Sequence, residues 1–151
     1  MPGRLEVTRC RRAHCAPDAV LRLLLGPETW PQWQPEIETA AGPSPLAPGD
    51  TVTGRASMLG FAVHGHSTIR AAGPDGVSEE AVVGVRMAIR YELRRDDGGT
   101  VVVHRLAADL PRGPLGRVLS LFLRWSLRRM QRRALDELVA RAERAEPEER
   151  A

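Results

Sequence analysis

The chain contains no lysine, so all 22 of its basic residues are arginines. Together with abundant alanine, glycine and proline, this bias is typical of a GC-rich bacterial genome and is a weaker sign of selection for arginine chemistry. The net charge is only +3, because 19 acidic residues are dispersed among the arginines. Nucleic-acid binders usually concentrate their basic residues on one face. We therefore expect no nucleic-acid partner.

Long apolar runs are also absent. No stretch of about 18 apolar residues occurs, which excludes a transmembrane helix, and the N-terminal segment lacks the apolar core of a signal peptide. We therefore expect a cytoplasmic protein. The length of 151 residues favours one domain over 1–151, with a charged tail from about residue 146.

Cysteine is scarce, since Cys10 and Cys15 are the only two. A structural zinc site needs four ligands, and a disulfide is uncommon in a reducing cytosol. We expect both to be ordinary, mostly buried side chains. The sequence also lacks a glycine-rich phosphate loop and a nucleophile elbow, so it predicts no metal and no cofactor.

Alternating apolar and polar residues predict a series of β-strands. The clearest alternation lies in segments 51–58, 61–71 and 85–93, and the other strands are predicted over 4–12, 36–41, 77–83 and 100–110. Short turns join most of these segments, which favours an antiparallel meander with one apolar face. A short helix from Pro17 to Gly26 and a corner at Trp30–Trp33 interrupt the series.

A single long helix is predicted from Pro114 to about Ala145. At 1.5 Å per residue, about 32 residues span roughly 50 Å. The first half of this helix is apolar almost all round, and no other element is long enough to cover the apolar face of the sheet. The predicted fold class is therefore α+β, with an antiparallel sheet of about six or seven strands wrapped around a long C-terminal helix.

Small residues at mid-strand indicate space between the sheet and this helix. Gly54, Ala56, Gly65 and Ser67 share the inward parity of two adjacent strands, whereas a close-packed interior would need bulky side chains there. We expect an apolar pocket with a few polar groups. The side chains expected to contact its ligand are those of Trp30, Met58, Phe61, Met87, Tyr91, His104, Phe122 and Trp125.

The order of elements, with the Glu-Thr-Trp-Pro-Gln-Trp corner at 28–33 and the Pro-Leu-Ala-Pro-Gly-Asp loop at 45–50, resembles the START-like (SRPBCC) superfamily. Within it, the chain looks most like the bacterial polyketide cyclase/dehydrase and lipid-transport branch. The resemblance implies a helix-grip fold with a deep hydrophobic cavity, and it matches Trp30 to a corner tryptophan of the aromatic polyketide cyclases. Those cyclases also carry a cavity arginine, but Ile69 stands at that inward position here and Arg70 has the opposite parity.

Three functions remain open from the sequence. The leading hypothesis is binding of a small hydrophobic molecule such as a polyketide, lipid or isoprenoid. The alternative is a cyclase or dehydratase that moves protons with His104 or Tyr91, the two candidate catalytic residues. The third is a surface role of the arginine-rich final helix, as a homodimer contact or a weak membrane-surface contact.

Overall fold

The computed structural model describes residues 3–58, 60–110 and 112–150, and within these ranges the side chains of Met58 and of residues 146–150 are not described. The seven strands are β1 Arg4–Ala13, β2 Ile37–Ala41, β3 Thr51–Met58, β4 Phe61–Gly73, β5 Gly76–Val83, β6 Val85–Asp96 and β7 Gly99–Asp109. The helices are α1 Pro17–Leu24, α2 Trp30–Trp33 and α3 Pro114–Arg150, and a 3₁₀ turn, Pro27–Thr29, precedes α2.

All seven strands form one antiparallel sheet with the order β1-β7-β6-β5-β4-β3-β2. Strands β2 to β7 follow one another as the predicted meander, and β1 adds to the free edge of β7. The sheet wraps around α3, so the predicted α+β class and helix-grip arrangement are confirmed. None of the helices in the described part of the chain has an apolar stretch long enough to cross a membrane.

Strand register assigns the residues that face α3. Tyr91 lies opposite His104, and Ile89 lies opposite Leu106, so these side chains share the inward face because cross-strand partners point the same way. On β4 the inward position is Ile69, which is buried, while Arg70 is exposed and pairs with Glu80 on the outer face. The predicted absence of an inward arginine on β4 is confirmed.

Helix α3 packs mainly against β1, α1 and α2 rather than against the middle of the sheet. Its buried stripe recurs every three or four residues, as expected for one helical face. The members of this stripe are Leu123, Leu127, Gln131, Ala134, Leu135, Leu138, Val139 and Ala142. Because β3 to β5 receive little cover from the helix, a space remains between them and α3.

The buried stripe places Phe122 and Trp125 on the opposite side of α3, where their side chains are 53% and 58% exposed. The expectation that both face the interior is therefore wrong. Phe61 has inward parity, yet it is the first residue of β4, beside the turn that joins β3 and β4, and is 74% exposed. Cys15 is buried as expected, but Cys10 is exposed.

Gly54 has a structural reason in addition to the open space inferred from sequence. A Cβ atom at this position would collide with the backbone carbonyl oxygen of Thr39 on β2, next to an irregularity in the β2–β3 register. The glycine thus permits a close approach of two backbones. Gly65 is similar, since a Cβ there would lie 2.8 Å from a methyl group of Val83.

Candidate functional site

A cavity lies between α3 and the inward faces of β3 to β6. It holds about 110 Å³ of space that the centre of a water molecule can reach, whereas one water needs roughly 10–15 Å³ by that measure. The space therefore corresponds to roughly seven to eleven waters, which is the scale of a small organic ligand. Its inward wall is formed mainly by Val52, Gly54, Ala56, Gly65, Ser67, Glu79, Ala81, Val83, Met87 and Ile89, with Trp30, Ile37 and Met130 completing it.

Trp30 reaches the cavity from the corner between α1 and β2. Its indole N–H donates a hydrogen bond to the carbonyl oxygen of Leu24 at 3.1 Å, which fixes the ring against the end of α1. The neighbouring Trp33 donates to the Thr29 hydroxyl at 3.2 Å, and this hydroxyl in turn donates to the carbonyl of Gly26 at 2.7 Å. The corner therefore holds one ring at the cavity and buries the other in the core.

Two of the eight predicted ligand-contact residues, Trp30 and Met87, line the cavity. Both are buried, and Met87 lies near the start of β6, opposite Ala81 on β5. The side chain of Met58 lies outside the described residues. Phe61, Phe122 and Trp125 are on the surface, so they do not form part of the cavity wall.

His104 is buried between β7 and α3, where it contacts Gln131 rather than the cavity. The Gln131 amide nitrogen lies 2.8 Å from His104 Nδ1, 3.3 Å from the carbonyl oxygen of Val7 and 3.2 Å from that of His104, and its two protons are shared among these three acceptors. These carbonyls orient the amide, so the imidazole accepts at Nδ1. Burial lowers the pKa of His104 to about 4, which keeps the ring neutral at neutral pH.

Tyr91 is packed in the core beside Trp33 of the corner and His104 of β7. Its ring lies edge-on to Trp33 with centroids 6.1 Å apart, and its centroid is 4.5 Å from that of His104. Burial raises the pKa of Tyr91, and the nearby Glu79 carboxylate adds to the rise. The hydroxyl therefore stays protonated in any physiological buffer, and Tyr91 is not among the cavity-lining residues.

Glu79 is a cavity-facing ionisable residue of the sheet that sequence reasoning missed. It lies on β5 opposite Ile89 and faces the cavity. Protein surrounds the carboxyl, but the open space of the cavity leaves part of the side chain accessible to water. Burial raises the pKa of Glu79 to about 7, and the nearby Ser67 hydroxyl partly opposes the rise. The parity of Val77, Ala81 and Val83 in the same strand was the available signal, because it places Glu79 on the inward face.

Among the described residues, no group of three or more His, Cys, Asp or Glu side chains is placed to hold a metal ion. His64 and His66 point to the outer face and are exposed, as their parity predicted.

The described cavity, sheet and helix agree with a comparison against known families. Residues 4–143 match the family described as polyketide cyclase / dehydrase and lipid transport. The chain belongs to this family. A search of curated proteins by sequence gives no match.

Solved structures of several proteins share the fold of this family member. The Zhui aromatase/cyclase from Streptomyces sp. R1128 is 15% identical with a TM-score of 0.80, over 94% of this chain and 95% of that one. Protein of unknown function SA2116 from Staphylococcus aureus is 11% identical with a TM-score of 0.79, over 95% and 96%. Ara h 8.0201 is 12% identical with a TM-score of 0.67, over 93% and 98%. Identities this low show a common fold alone.

Proposed function

We propose that this family member binds one small hydrophobic molecule, polyketide-, lipid- or isoprenoid-like, in the cavity between the sheet and α3. The observation that carries the proposal is the apolar wall around a space larger than packing voids normally reach. Affinity would come from apolar burial at about 25 cal/mol per Å². Its expected location is the cytoplasm, as the sequence predicts.

A neutral fluorescent probe, N-phenyl-1-naphthylamine, tests this proposal. We expect one molecule to bind per chain with increased fluorescence. Ala81 is buried in the cavity wall, so Ala81→Phe fills the space and should weaken binding at least about tenfold by steric exclusion. Ala62→Phe, on the exposed outer face of the adjacent hairpin, is the matched control and should bind as the wild type does.

Ala56→Phe on β3 provides a second filling variant, in case Ala81→Phe lowers stability. Thermal unfolding of each variant shows whether it is folded under the binding conditions. Unchanged probe binding by both folded filling variants would contradict the proposal, since the probe would then occupy another surface.

A polyketide cyclase or dehydratase activity is the alternative use of the same cavity. The fold shared with an aromatase/cyclase supports it. However, the two catalytic candidates from the sequence, His104 and Tyr91, are core residues here, and His104 is a weak base at neutral pH because its pKa is low. Binding is therefore the function that the geometry supports better.

The exposed side of α3 supports a second proposal, a contact with an anionic membrane surface. Its apolar members are Leu115, Val118, Leu121, Phe122 and Trp125, all at least half exposed. Exposed arginines adjoin them, and the guanidinium of Arg129 lies 5.4 Å from the centroid of the Trp125 ring. Apolar side chains flanked by arginine are the pattern of interfacial helices, and each arginine near an anionic surface contributes about 1 kcal/mol.

Vesicle sedimentation tests the membrane contact. We expect binding to vesicles of equal parts phosphatidylglycerol and phosphatidylcholine, and weaker binding to pure phosphatidylcholine. Leu121→Glu adds a charge to the apolar surface and should lower partitioning about tenfold, whereas Thr8→Glu, on an exposed position of β1, should have little effect. Equal binding to both vesicle types, or a homodimer in light scattering without vesicle binding, would contradict the proposal.

A further inference from the structure

Two polar side chains lie next to each other among the apolar side chains that β3 to β6 turn toward the cavity. Ser67 of β4 is opposite Ala81, and Glu79 of β5 is opposite Ile69, so the two occupy consecutive inward positions on paired strands. Both line the cavity. Ser67 is 6% exposed, and its hydroxyl lies near enough to Glu79 to lower the pKa of that carboxyl. No hydrogen bond of ordinary geometry joins the two, so the Ser67 hydroxyl oxygen lacks a well-formed partner among the described residues.

A buried hydroxyl without a partner is costly, and native proteins contain few of them. The Glu79 carboxyl has no cationic partner on the sheet, because the strand register places no arginine at the described inward positions of β3 to β7. Without such a partner, the Glu79 carboxyl loses its charge by binding a proton. Burial, which raises the pKa of Glu79 to about 7, agrees with this.

We propose that Ser67 and Glu79 form the subsite that holds a carbonyl oxygen of the ligand. The Ser67 hydroxyl and the protonated Glu79 carboxyl each donate one hydrogen bond, and a carbonyl oxygen has two lone pairs to accept them. This inference rests on the proposed function, since it assigns an orientation to a ligand in the same cavity. The other inward side chains of β3 to β6 at the cavity are apolar, so the ligand is an aromatic or aliphatic ketone rather than a multiply charged molecule.

The other buried titratable groups near the cavity are uncharged at neutral pH. Burial keeps Tyr91 of β6 protonated by raising its pKa, and keeps His104 of β7 neutral by lowering its pKa to about 4. From α3 the residues facing this region are the uncharged Met130 and Gln131. Glu36, Arg55 and His66 border the cavity from its rim and outer strands.

Three compounds with one naphthalene skeleton test the subsite: 2-acetylnaphthalene, 2-ethylnaphthalene and 1-(2-naphthyl)ethylamine. Displacement of N-phenyl-1-naphthylamine gives the affinity of each between pH 6 and pH 8. At pH 6 we expect the wild type to bind the ketone about tenfold more tightly than the hydrocarbon, because the carbonyl pairs with two buried donors that the hydrocarbon would leave unpaired. At pH 8 this preference should largely disappear as Glu79 ionises. Hydrocarbon affinity should stay nearly constant.

Glu79 variants separate the hydrogen bond from the charge. Glu79→Met should bind the hydrocarbon normally and show no preference for the ketone at any pH. Glu79→Gln should keep the preference, because its amide N–H still donates, and should lose the pH dependence. The matched control is Glu80→Met, since Glu80 is the adjacent residue on the outer face, paired with Arg70.

The inference is overturned if Glu79→Met retains the ketone preference, or if the wild type binds the hydrocarbon and the ketone equally at pH 6. Preferential binding of the amine that strengthens toward pH 8 would also overturn it, because the carboxylate would then hold a cation. Failure of all three compounds and of the probe to bind would instead remove the proposed function, and the subsite with it.

Discussion

Trp33→Ala should lower the free energy of unfolding by about 4 kcal/mol, within the range for large-to-small changes of buried aromatic residues. Trp33 is 1% exposed and belongs to the larger core cluster. Its ring contacts Tyr91 edge-on, and its N–H donates to Thr29. The substitution would leave a cavity and remove one partner of the Thr29 hydroxyl. Urea denaturation followed by circular dichroism measures the change.

Trp125→Ala is the matched control, because the same side chain is 58% exposed there. We expect a loss below about 1 kcal/mol. Since a domain is stable by only about 5–15 kcal/mol, Trp33→Ala could leave the chain largely unfolded, and Trp33→Phe then provides a smaller, measurable loss. Equal effects of the two alanine variants would contradict the assignment of Trp33 to the core.

The Trp33 substitution should also reduce binding of N-phenyl-1-naphthylamine. Trp33 anchors α2, and α2 carries Trp30 into the cavity wall. A looser corner would allow the Trp30 ring to move away from the ligand. Retention of wild-type probe affinity by a folded Trp33→Phe variant would show that the corner positions Trp30 without help from Trp33.

The fold could be predicted from the sequence because each strand shows local alternation. Segments such as Thr51–Met58 have their predicted bounds, and β6 differs only in continuing to Asp96. Alternation fixes which side chains share a face, and short turns fix which strands are neighbours. These two constraints, with one helix long enough to cover the sheet, leave few other arrangements.

The side of α3 that faces the sheet was harder to predict, since its first half is apolar all round. Local sequence there does not distinguish Leu123 and Leu127, which are buried, from Phe122 and Trp125, which are exposed. The distinction is set by the second half of the helix, where Leu135 and Leu138 form a narrow stripe. Continuing that stripe backwards in steps of three or four residues reaches Leu127 and Leu123.

The residues of the cavity wall could not be predicted from any single segment, because they come together only through long-range contacts. Met87 and Trp30 come from distant parts of the chain and meet only after the sheet curls around α3. Gly54 shows the same limit, because its small size serves the approach of β2. The inward carboxyl of Glu79 contradicts the usual rule that acidic residues point to solvent, and such local exceptions are expected at functional sites.

Glu79→Met should raise the free energy of unfolding at pH 8 by about 2 kcal/mol. Burial raises the pKa of Glu79 from 4.5 to about 7 in the folded state, so the folded protein binds the proton more tightly than the unfolded chain. Stability from this group is present below pH 4.5 and is lost as the pH rises through 7. A shift of one unit corresponds to about 1.4 kcal/mol, and the access of the carboxyl to water in the cavity makes the total smaller than the full shift implies.

His104 has the opposite linkage, because burial lowers its pKa from 6.5 to about 4. Its contribution is present above pH 6.5 and is lost as the pH falls through 4, since the unfolded chain then binds the extra proton. Between pH 4.5 and pH 6.5 the two slopes oppose each other. We therefore expect the contributions of Glu79 and His104 to wild-type stability nearly to cancel there.

Removing Glu79 should expose the His104 slope. In Glu79→Met, urea midpoints should rise with pH from about 4 to 6.5 and then stay level, with the denaturant slope unchanged. Glu80→Met, which alters the outer face, should follow the wild-type profile. If Glu79→Met loses stability at pH 8 relative to the wild type, the carboxylate must be stabilised in the folded protein. The cavity would then contain a cationic partner for it, and the neutral acid could not be the form that binds ligand.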